Sequence, residues 1–320
     1  MALTIFSIMI VLLLLGFPMM IPLIVGAFVG FYTLFGGMSQ LETMIQQIMA
    51  GIRPASLIAV PMFIFAADIM TRGQSAKRLI DLVMAFVGHL KGGLAVSTAA
   101  ACTMFGAVSG STQATVVAVG GPLRPRMLKA GYKDNFVLAL VVNASDIAFL
   151  IPPSIGMIIY GVVSNTSISE LFIAGVGPGL LILCLFAVYS WIYAVRNNVP
   201  TEPKSSWGER LAAARKALWP LGFPVIIIGG IYGGIFSPTE AAAACVLYAL
   251  ILEVIVFRSM SLADVWSTAK STGLITAVVF ILVGAGAAFS WIISFAMIPQ
   301  TLLGAVGIDQ MGPIGVLFVI

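Results

Sequence analysis

The sequence predicts an all-α polytopic membrane protein, and three observations carry that prediction. Of 320 residues, 60% are hydrophobic and only 9% charged, whereas a soluble domain has about 25% charged residues. Mean hydropathy is +1.11, more apolar surface than a water-soluble fold can hide. The apolar residues also fall in runs near the roughly 20 residues that one crossing requires, separated by short basic loops. Such runs allow roughly seven to nine segments, some broken or re-entrant, in one integrated bundle without a separate soluble domain.

The formal net charge is +4, and the 16 Lys and Arg cluster in the loops. That is the positive-inside pattern of membrane topology and implies no nucleic acid. Cys102, Cys184 and Cys245 lie inside apolar segments without pairing spacing, so they read as small core residues, neither disulfides nor metal ligands. The first 36 residues carry no charge. A secretory signal needs a basic start and a small-residue cleavage site, so the opening reads as a retained transmembrane element.

Along the chain, residues 2–36 suit a helix pair or a strongly kinked helix, with Gly16, Pro18 and Pro22 marking the break. Residues 38–52 alternate polar and apolar at helical spacing and are too few and too polar to span, so they form an interfacial helix. An apolar run follows from Ala55 to Met70, then a basic amphipathic stretch from Arg72 to Lys91. Gly92 to Leu123 is uncharged, dense in Gly, Ala, Ser and Thr, and basic at both flanks. With both flanks on one side, this segment must enter and leave by the same face, as a re-entrant hairpin or two tight crossings. Residues 135–163 and 171–195 give two crossings that return to a basic loop from Arg196 to Lys216. Then come 218–236 and 239–257, an amphipathic stretch over 259–272, an apolar run over 273–306, and a final run from Gly312 to Ile320.

Leu15-Gly16-Phe17-Pro18 recurs as Leu221-Gly222-Phe223-Pro224, and each copy leads towards an amphipathic segment opening with Met-Ser at 38 and 260. Phe63 and Phe289 then fall in similar context. A second half that restarts the first places a first repeat at 1–216 and the start of a second, incomplete one at 217–320. Pseudo-symmetric halves are typical of secondary transporters, whose site lies between broken helices.

Two constellations could carry chemistry. Gly106 to Gln113 concentrates glycines and hydroxyls (Ser109, Gly110, Ser111, Thr112) at the expected hairpin tip. Hydroxyl and carbonyl oxygens suit a hard cation such as sodium, and freed N–H groups suit a carboxylate; small residues also simply let helices pack closely. The second is Asn143-Ala144-Ser145-Asp146 followed by Pro152-Pro153-Ser154 inside an apolar run. Paired prolines remove two donors, and irregular backbone at membrane depth survives only in protein or along a cavity. This marks a discontinuous helix, with a plain proline kink as the simpler alternative. Asp146 is the most telling charge, since intramembrane carboxylates mark ion, proton or substrate paths. Asp68 and Glu240 lie nearer segment ends, and Glu240 after Ser237-Pro238-Thr239 reads as a helix start. His89, the only histidine, reads as interfacial, as do Trp191, Tyr193, Trp207 and Trp219; Gly26 to Gly30 fits close helix packing.

At these motifs the sequence resembles the large membrane (M) subunit of tripartite ATP-independent periplasmic (TRAP) transporters, possibly a sialic acid type. The resemblance runs along the chain: PMFIFAADIM at 61–70, VGHLKGGLAV at 87–96, MFGAVSGSTQATVVAVGGPLRPRMLKAGY at 104–132, LIPPSIGMIIYG at 150–161, ELFIAGVGPGLL at 170–181 and GIFSPTEAAA at 234–243. It implies an ion-transporter-like elevator fold with inverted repeats, a re-entrant helical hairpin at 92–123 and a discontinuous helix at 135–163. The helices of 1–36 would be scaffold, and 38–52 and 259–272 arm helices. The implied function is sodium-coupled transport of a small organic acid, sialic acid or a C4-dicarboxylate, across the bacterial inner membrane. The implied partners are a small four-helix membrane subunit (Q type) and a periplasmic substrate-binding protein (P type), with no organic cofactor. Carried over by motif, Ser109, Gly110, Ser111, Asn143 and Ser145 would hold Na+, and Ser111, Thr112, Asn143, Asp146, Pro153 and Ser154 would meet the substrate. The family's second hairpin and its TPP-bearing broken helix have no counterpart in this sequence, which implies a truncated or incomplete subunit, or one unable to transport alone. Two other classes remain: an ion or solute channel, and an intramembrane hydrolase, for which the spacing around Ser109 is GxxSG and His89 is the only available base.

Overall fold

The charge-free opening folds as two helices, α1 (Ala2–Leu14) and α2 (Met20–Phe35), packed against each other. The chain turns at Gly16, whose φ of +82° is left-handed and open to glycine without a Cβ clash. The computed structural model describes residues 2–37, 41–306 and 315, and of Leu302, Ala305 and Val306 the backbone alone. The first three residues of the expected 38–52 helix therefore lie outside the described residues, as does the final run except Gly315. The rest of that interfacial helix is α3 (Leu41–Ile52).

A 3-10 turn (Ala55–Ile58) leads into α4 (Ala59–Arg72), and α5 (Ser75–Val87) follows. Ser75, Ala76, Leu79, Ile80, Val83 and Met84 of α5 are buried, a spacing of three and four that lays one face on its neighbours. The uncharged segment forms a helical hairpin: α6 (Gly93–Ser109), a turn at Gly110 and Ser111, α7 (Thr112–Thr115), a π turn (Val116–Gly120) and α8 (Gly121–Lys129). With 17 residues, α6 rises about 26 Å, short of a roughly 30 Å hydrocarbon layer.

Next come α9 (Asp134–Ser145), a 3-10 turn (Asp146–Phe149), an irregular stretch through Pro152 and Pro153, and α10 (Ile155–Ser164). The expected discontinuous helix is therefore a true break. Arg124 grips Asp134 with two hydrogen bonds of 2.9 Å, tying α8 to the start of α9. These bonds hold the Asp134 carboxyl below its ordinary range, so the tie persists at neutral pH and is lost as acid protonates the carboxyl. The 29-residue α11 (Ile168–Arg196) precedes α12 (Trp207–Ala217). An irregular helix combines α13 (Gly222–Pro224), a π turn (Val225–Gly229) and α14 (Gly230–Tyr232). Then follow α15 (Pro238–Leu250) with a π extension to Val256, α16 (Leu262–Phe295) and α17 (Ile298–Val306). Ser237 and Glu240 form a capping box at the start of α15, as the sequence expects of Glu240.

Two sequence expectations are corrected. The stretches 259–272 and 273–306 do not form separate elements, because α16 runs unbroken for 34 residues through Gly273 and the turn falls at Met297. A change from amphipathic to apolar composition does not by itself interrupt backbone hydrogen bonding. Cys184 is exposed on α11, while Cys102 and Cys245 are buried core residues. Outward-facing positions in a lipid-exposed helix are as apolar as a core, so composition does not separate them.

By length and composition, four described helical stretches can each cross a membrane alone: Ala55–Arg72, Ile168–Arg196, Pro238–Val256 and Leu262–Phe295. The pair Trp207–Ala217 and Gly222–Tyr232 is bent by 46°, and four apolar helices are shorter. Broken and paired elements thus account for the remaining apolar runs.

The chain divides into two compact units, Met1–Pro54 with Ala277–Ile320, and Ala55–Thr276. In the first, Ala27, Phe31, Met44, Ala288 and Ile292 form a core, and Phe31, Trp291 and Phe295 stack at centroid distances of 5.2 and 4.9 Å. In the second, α6 is buried on every side by α5, α9 and α11. Beside it, α15 packs along α4 through buried Ala241, Cys245 and Ala249, a small residue at every fourth position that lets backbones approach.

Glu253, in the π extension of α15, is completely buried. Its carboxylate accepts hydrogen bonds from the Gln74 and Ser75 N–H groups at 2.9 Å and from the Ser75 and Ser259 hydroxyls at 2.5 Å. It therefore caps the start of α5 from a segment nearly 180 positions away and fastens the chain leading into α16. Gly73 leaves the necessary space, since a Cβ there would lie 2.1 Å from the Glu253 Cδ. Glu253→Gln keeps the size but replaces one of the two acceptor oxygens with a donor amide, setting it against at least one of the groups that donate there, and is expected to cost about 2–4 kcal/mol. An earlier thermal unfolding midpoint of the purified protein would register this; an unchanged midpoint would mean that the four donors need no anion.

Candidate functional site

The hairpin tip and the break of the discontinuous helix meet in the second unit. Gly106 faces the 3-10 turn so closely that a Cβ would lie 2.8 Å from the Ala148 Cβ and 2.9 Å from its Cα. One helical turn on, Gly110 adopts φ +60°, and a Cβ there would lie 2.2 Å from the Pro153 carbonyl oxygen. The Gly110 carbonyl accepts a hydrogen bond from the Ile155 N–H at 3.2 Å. Two glycines thus press the end of α6 against the backbone of the broken helix, and α7 packs on the same 3-10 turn. The prolines withdraw two donors from the break, and the Pro152–Pro153 bond is cis.

The tip is closed by its own hydroxyls. Ser109 is fully buried; its Oγ accepts from the Ser111 N–H (3.3 Å) and lies 3.2 Å from the Thr115 Oγ1. The Thr115 hydroxyl donates to the Ser111 carbonyl at 2.8 Å. Ser111 caps α7, its Oγ accepting from the Ala114 N–H at 3.4 Å, and Ser154 caps α10, accepting from the Met157 N–H at 3.2 Å. Two helix N-termini therefore begin at this junction, and helix N-termini favour anions. Among the described residues, the Thr112 Oγ1 is buried without a hydrogen-bond partner.

The structure brings Gly110, Ser111, Pro153 and Ser154 together directly. The other sequence-predicted residues have their own surroundings. The Ser145 hydroxyl is buried, donating to the Val141 carbonyl (2.7 Å) and lying 3.5 Å from the Cys102 Sγ, within the contact of α9 and α6. Asn143 is exposed, and its amide donates to the Ala139 carbonyl at 2.7 Å. It lines a groove of about 500 Å³ with Lys133, Phe136, Tyr189 and Tyr193. Asp146 is exposed at the start of the 3-10 turn, and no partner holds its carboxylate among the described residues.

Sequence reasoning included Gly106 in the tip constellation but did not single out Thr115 or Glu253. An acid inside the apolar run Ile251–Val256 was the available signal for Glu253. Asp68, by contrast, accepts from the Thr272 hydroxyl at 2.7 Å. Thr272 also lines an apolar cavity of about 570 Å³ with Pro61, Phe65, Val246 and Thr276.

The glycine contacts give a paired prediction. Gly110→Ala adds a left-handed penalty of about 1–2 kcal/mol to a clash with backbone, and is expected to lower the unfolding midpoint strongly or abolish accumulation. Gly121→Ala, at a helical position with nothing within 4 Å of the added carbon, is expected to be neutral or to stabilise by up to about 1 kcal/mol. Equal midpoints for the two variants would contradict the tip-to-break contact.

The family model described as "Tripartite ATP-independent periplasmic transporter, DctM component" matches residues 6–320. The chain is 82% identical over its whole length to the ectoine/5-hydroxyectoine TRAP transporter large permease protein UehC of Ruegeria pomeroyi, covering 75% of that protein. It is 76% identical over 98% of its length to the ectoine TRAP transporter large permease protein TeaC of Halomonas elongata, covering 73% of it. A C4-dicarboxylate TRAP transporter large permease protein, DctM of Rhodobacter capsulatus, is 37% identical over 94% of the chain and 71% of that relative. These relatives are permease proteins rather than enzymes, which sets the hydrolase reading aside. The chain belongs to the DctM family of TRAP transporter large permeases, multi-pass proteins of the bacterial inner membrane.

Proposed function

We propose that this large permease carries out sodium-coupled secondary transport of an ectoine-type solute by an elevator movement. The carrying observation is the junction itself: an oxygen-rich hairpin tip seated on a broken helix, with the Thr112 hydroxyl buried and unpartnered at the tip and the Asp146 carboxylate exposed where the broken helix turns, unpartnered among the described residues. Ser109, Gly110, Ser111, Asn143 and Ser145 are the proposed Na+ ligands, and Ser111, Thr112, Asn143, Asp146, Pro153 and Ser154 the proposed substrate contacts. The helix starts at Ser111 and Ser154 favour the solute's carboxylate, and the oxygens favour a hard cation.

Support for the substrate class comes from the two ectoine permeases at 82% and 76% identity, against 37% for a C4-dicarboxylate permease. Ectoine carries a carboxylate, so it stays within the class of small organic acids and replaces sialic acid as the first candidate. The repeats at 1–216 and 217–320, and the arm roles of 38–52 and 259–272, belong to the same proposal, as do the small membrane subunit and the periplasmic binding protein. The test is uptake of labelled ectoine into liposomes holding the assembled transporter, with the binding protein outside. Uptake that needs an inward sodium gradient supports the proposal; sodium-independent uptake, or high unitary conductance, overturns it in favour of a uniporter or channel.

Two substitutions separate ligation from folding. Ser109→Ala is expected to raise the sodium concentration for half-maximal uptake about tenfold, equivalent to about 1.4 kcal/mol, more than it lowers protein level. Thr112→Val removes a hydroxyl that no protein group satisfies, so a purely structural role predicts unchanged or higher stability. The transport role predicts weakened uptake at that same stability. Wild-type uptake kinetics in both variants would remove the tip from the site, and Cys184→Ala serves as a control expected to change little.

A further inference from the structure

The basic loop ends in a helix with three distinct faces. Arg210 and Ala217 of α12 are buried where α12 packs along α5. The Arg210 Nε donates to the Ala85 carbonyl (3.2 Å), its Nη2 points at the His89 Nδ1 (3.4 Å), and the guanidinium lies 5.2 Å from the Trp207 ring. At about 100° per residue, Trp207, Leu211 and Leu218 fall within a sector about 40° wide beside this packed face. They are 77%, 72% and 66% exposed. Arg215 borders that apolar stripe, while Glu209 and Lys216 lie on the remaining face. A capping box of Ser206 and Glu209 fixes where the helix begins, and its axis turns by 46° from the apolar helix that follows.

The charges around the stripe are unbalanced in one direction. Glu202 is taken up by Arg126 at 3.2 Å, and the Glu209 carboxylate accepts from the Ser206 N–H at 2.7 Å. The side chains of Lys204, Arg215 and Lys216 are exposed and, among the described residues, make no ion pair or hydrogen bond. Eleven residues with four charged side chains do not span a bilayer, but a partly apolar, locally cationic helix end fits its surface.

We propose that α12 is an interfacial anchor for anionic phospholipid: Trp207, Leu211 and Leu218 enter the acyl boundary while Arg215, with Lys204 and Lys216, holds the negative headgroups. An ammonium or guanidinium is attracted to an anionic leaflet, and the attraction is lost beyond a Debye length. Because Arg210 joins α12 to α5, lipid composition acts directly on a helix packed against the hairpin. This surface is independent of the sodium site, and its test does not measure transport.

The full-length protein is placed in nanodiscs of phosphatidylcholine containing a minority of phosphatidylglycerol, with bromine on the chains of one lipid or the other. The fluorescence that Trp207→Phe removes reports Trp207 alone. Quenching of that component about two- to fivefold greater with brominated phosphatidylglycerol than with an equal fraction of brominated phosphatidylcholine is expected. The combined variant Lys204→Gln, Arg215→Gln, Lys216→Gln should bring the two to parity, and so should raising salt to about 0.5 M in the unaltered protein. Equal quenching by both lipids in low salt, or quenching by neither because water or another subunit covers the stripe, would overturn the proposal.

Discussion

The larger unit depends on two points where α6 touches backbone with nothing in between. At Gly106 and Gly110 any side chain would collide with Ala148 or Pro153, so this proximity exists only because glycine is there. The consequence reaches beyond packing. A helix end that comes this close delivers its terminal carbonyl to the Ile155 N–H, a first-turn donor of α10 that has no acceptor within its own helix. The hairpin therefore satisfies one backbone donor of the broken helix, and the broken helix satisfies one acceptor of the hairpin.

Around this junction the polar groups are arranged with little waste. Ser109, Ser111 and Thr115 satisfy one another, and Ser154 caps the next helix; elsewhere in the unit Glu253 gathers four donors from two distant stretches. Against that background, the unpartnered Thr112 hydroxyl and Asp146 carboxylate stand out as groups awaiting something outside the described residues. A buried hydroxyl without a partner costs about 1–3 kcal/mol, which is the weight behind Thr112; Asp146 is exposed, and its place in the reading comes from its position at the break.

Much of this was legible from residue order. Basic residues on both sides of an uncharged Gly92–Leu123 stretch demand that the chain turn back, and the structure has its turn at Gly110 and Ser111. Pro152 and Pro153 inside an apolar run demand a break, and the helix ends at Ser145 and resumes at Ile155. What was not legible depends on which side of a helix a residue occupies or on contacts far along the chain. Ser145 and Asn143 are two residues apart on α9, about 200° round the helix, and only one is buried. The reach of Glu253 to Ser75 spans 178 positions, and no local pattern encodes it. The continuity of α16 was hidden because hydropathy reports surroundings, while helix propagation needs only uninterrupted backbone donors and acceptors.

The exposure of Cys184 on α11 gives the protein an intrinsic reporter. Its two other thiols are sealed in the core, so a sulfhydryl reagent would address a single position near the middle of a 29-residue span. Thiols react as thiolates, which hydrocarbon suppresses and water permits. The rate of alkylation at that one atom thus distinguishes a flank bathed in lipid from one that borders an aqueous passage, without any engineered cysteine.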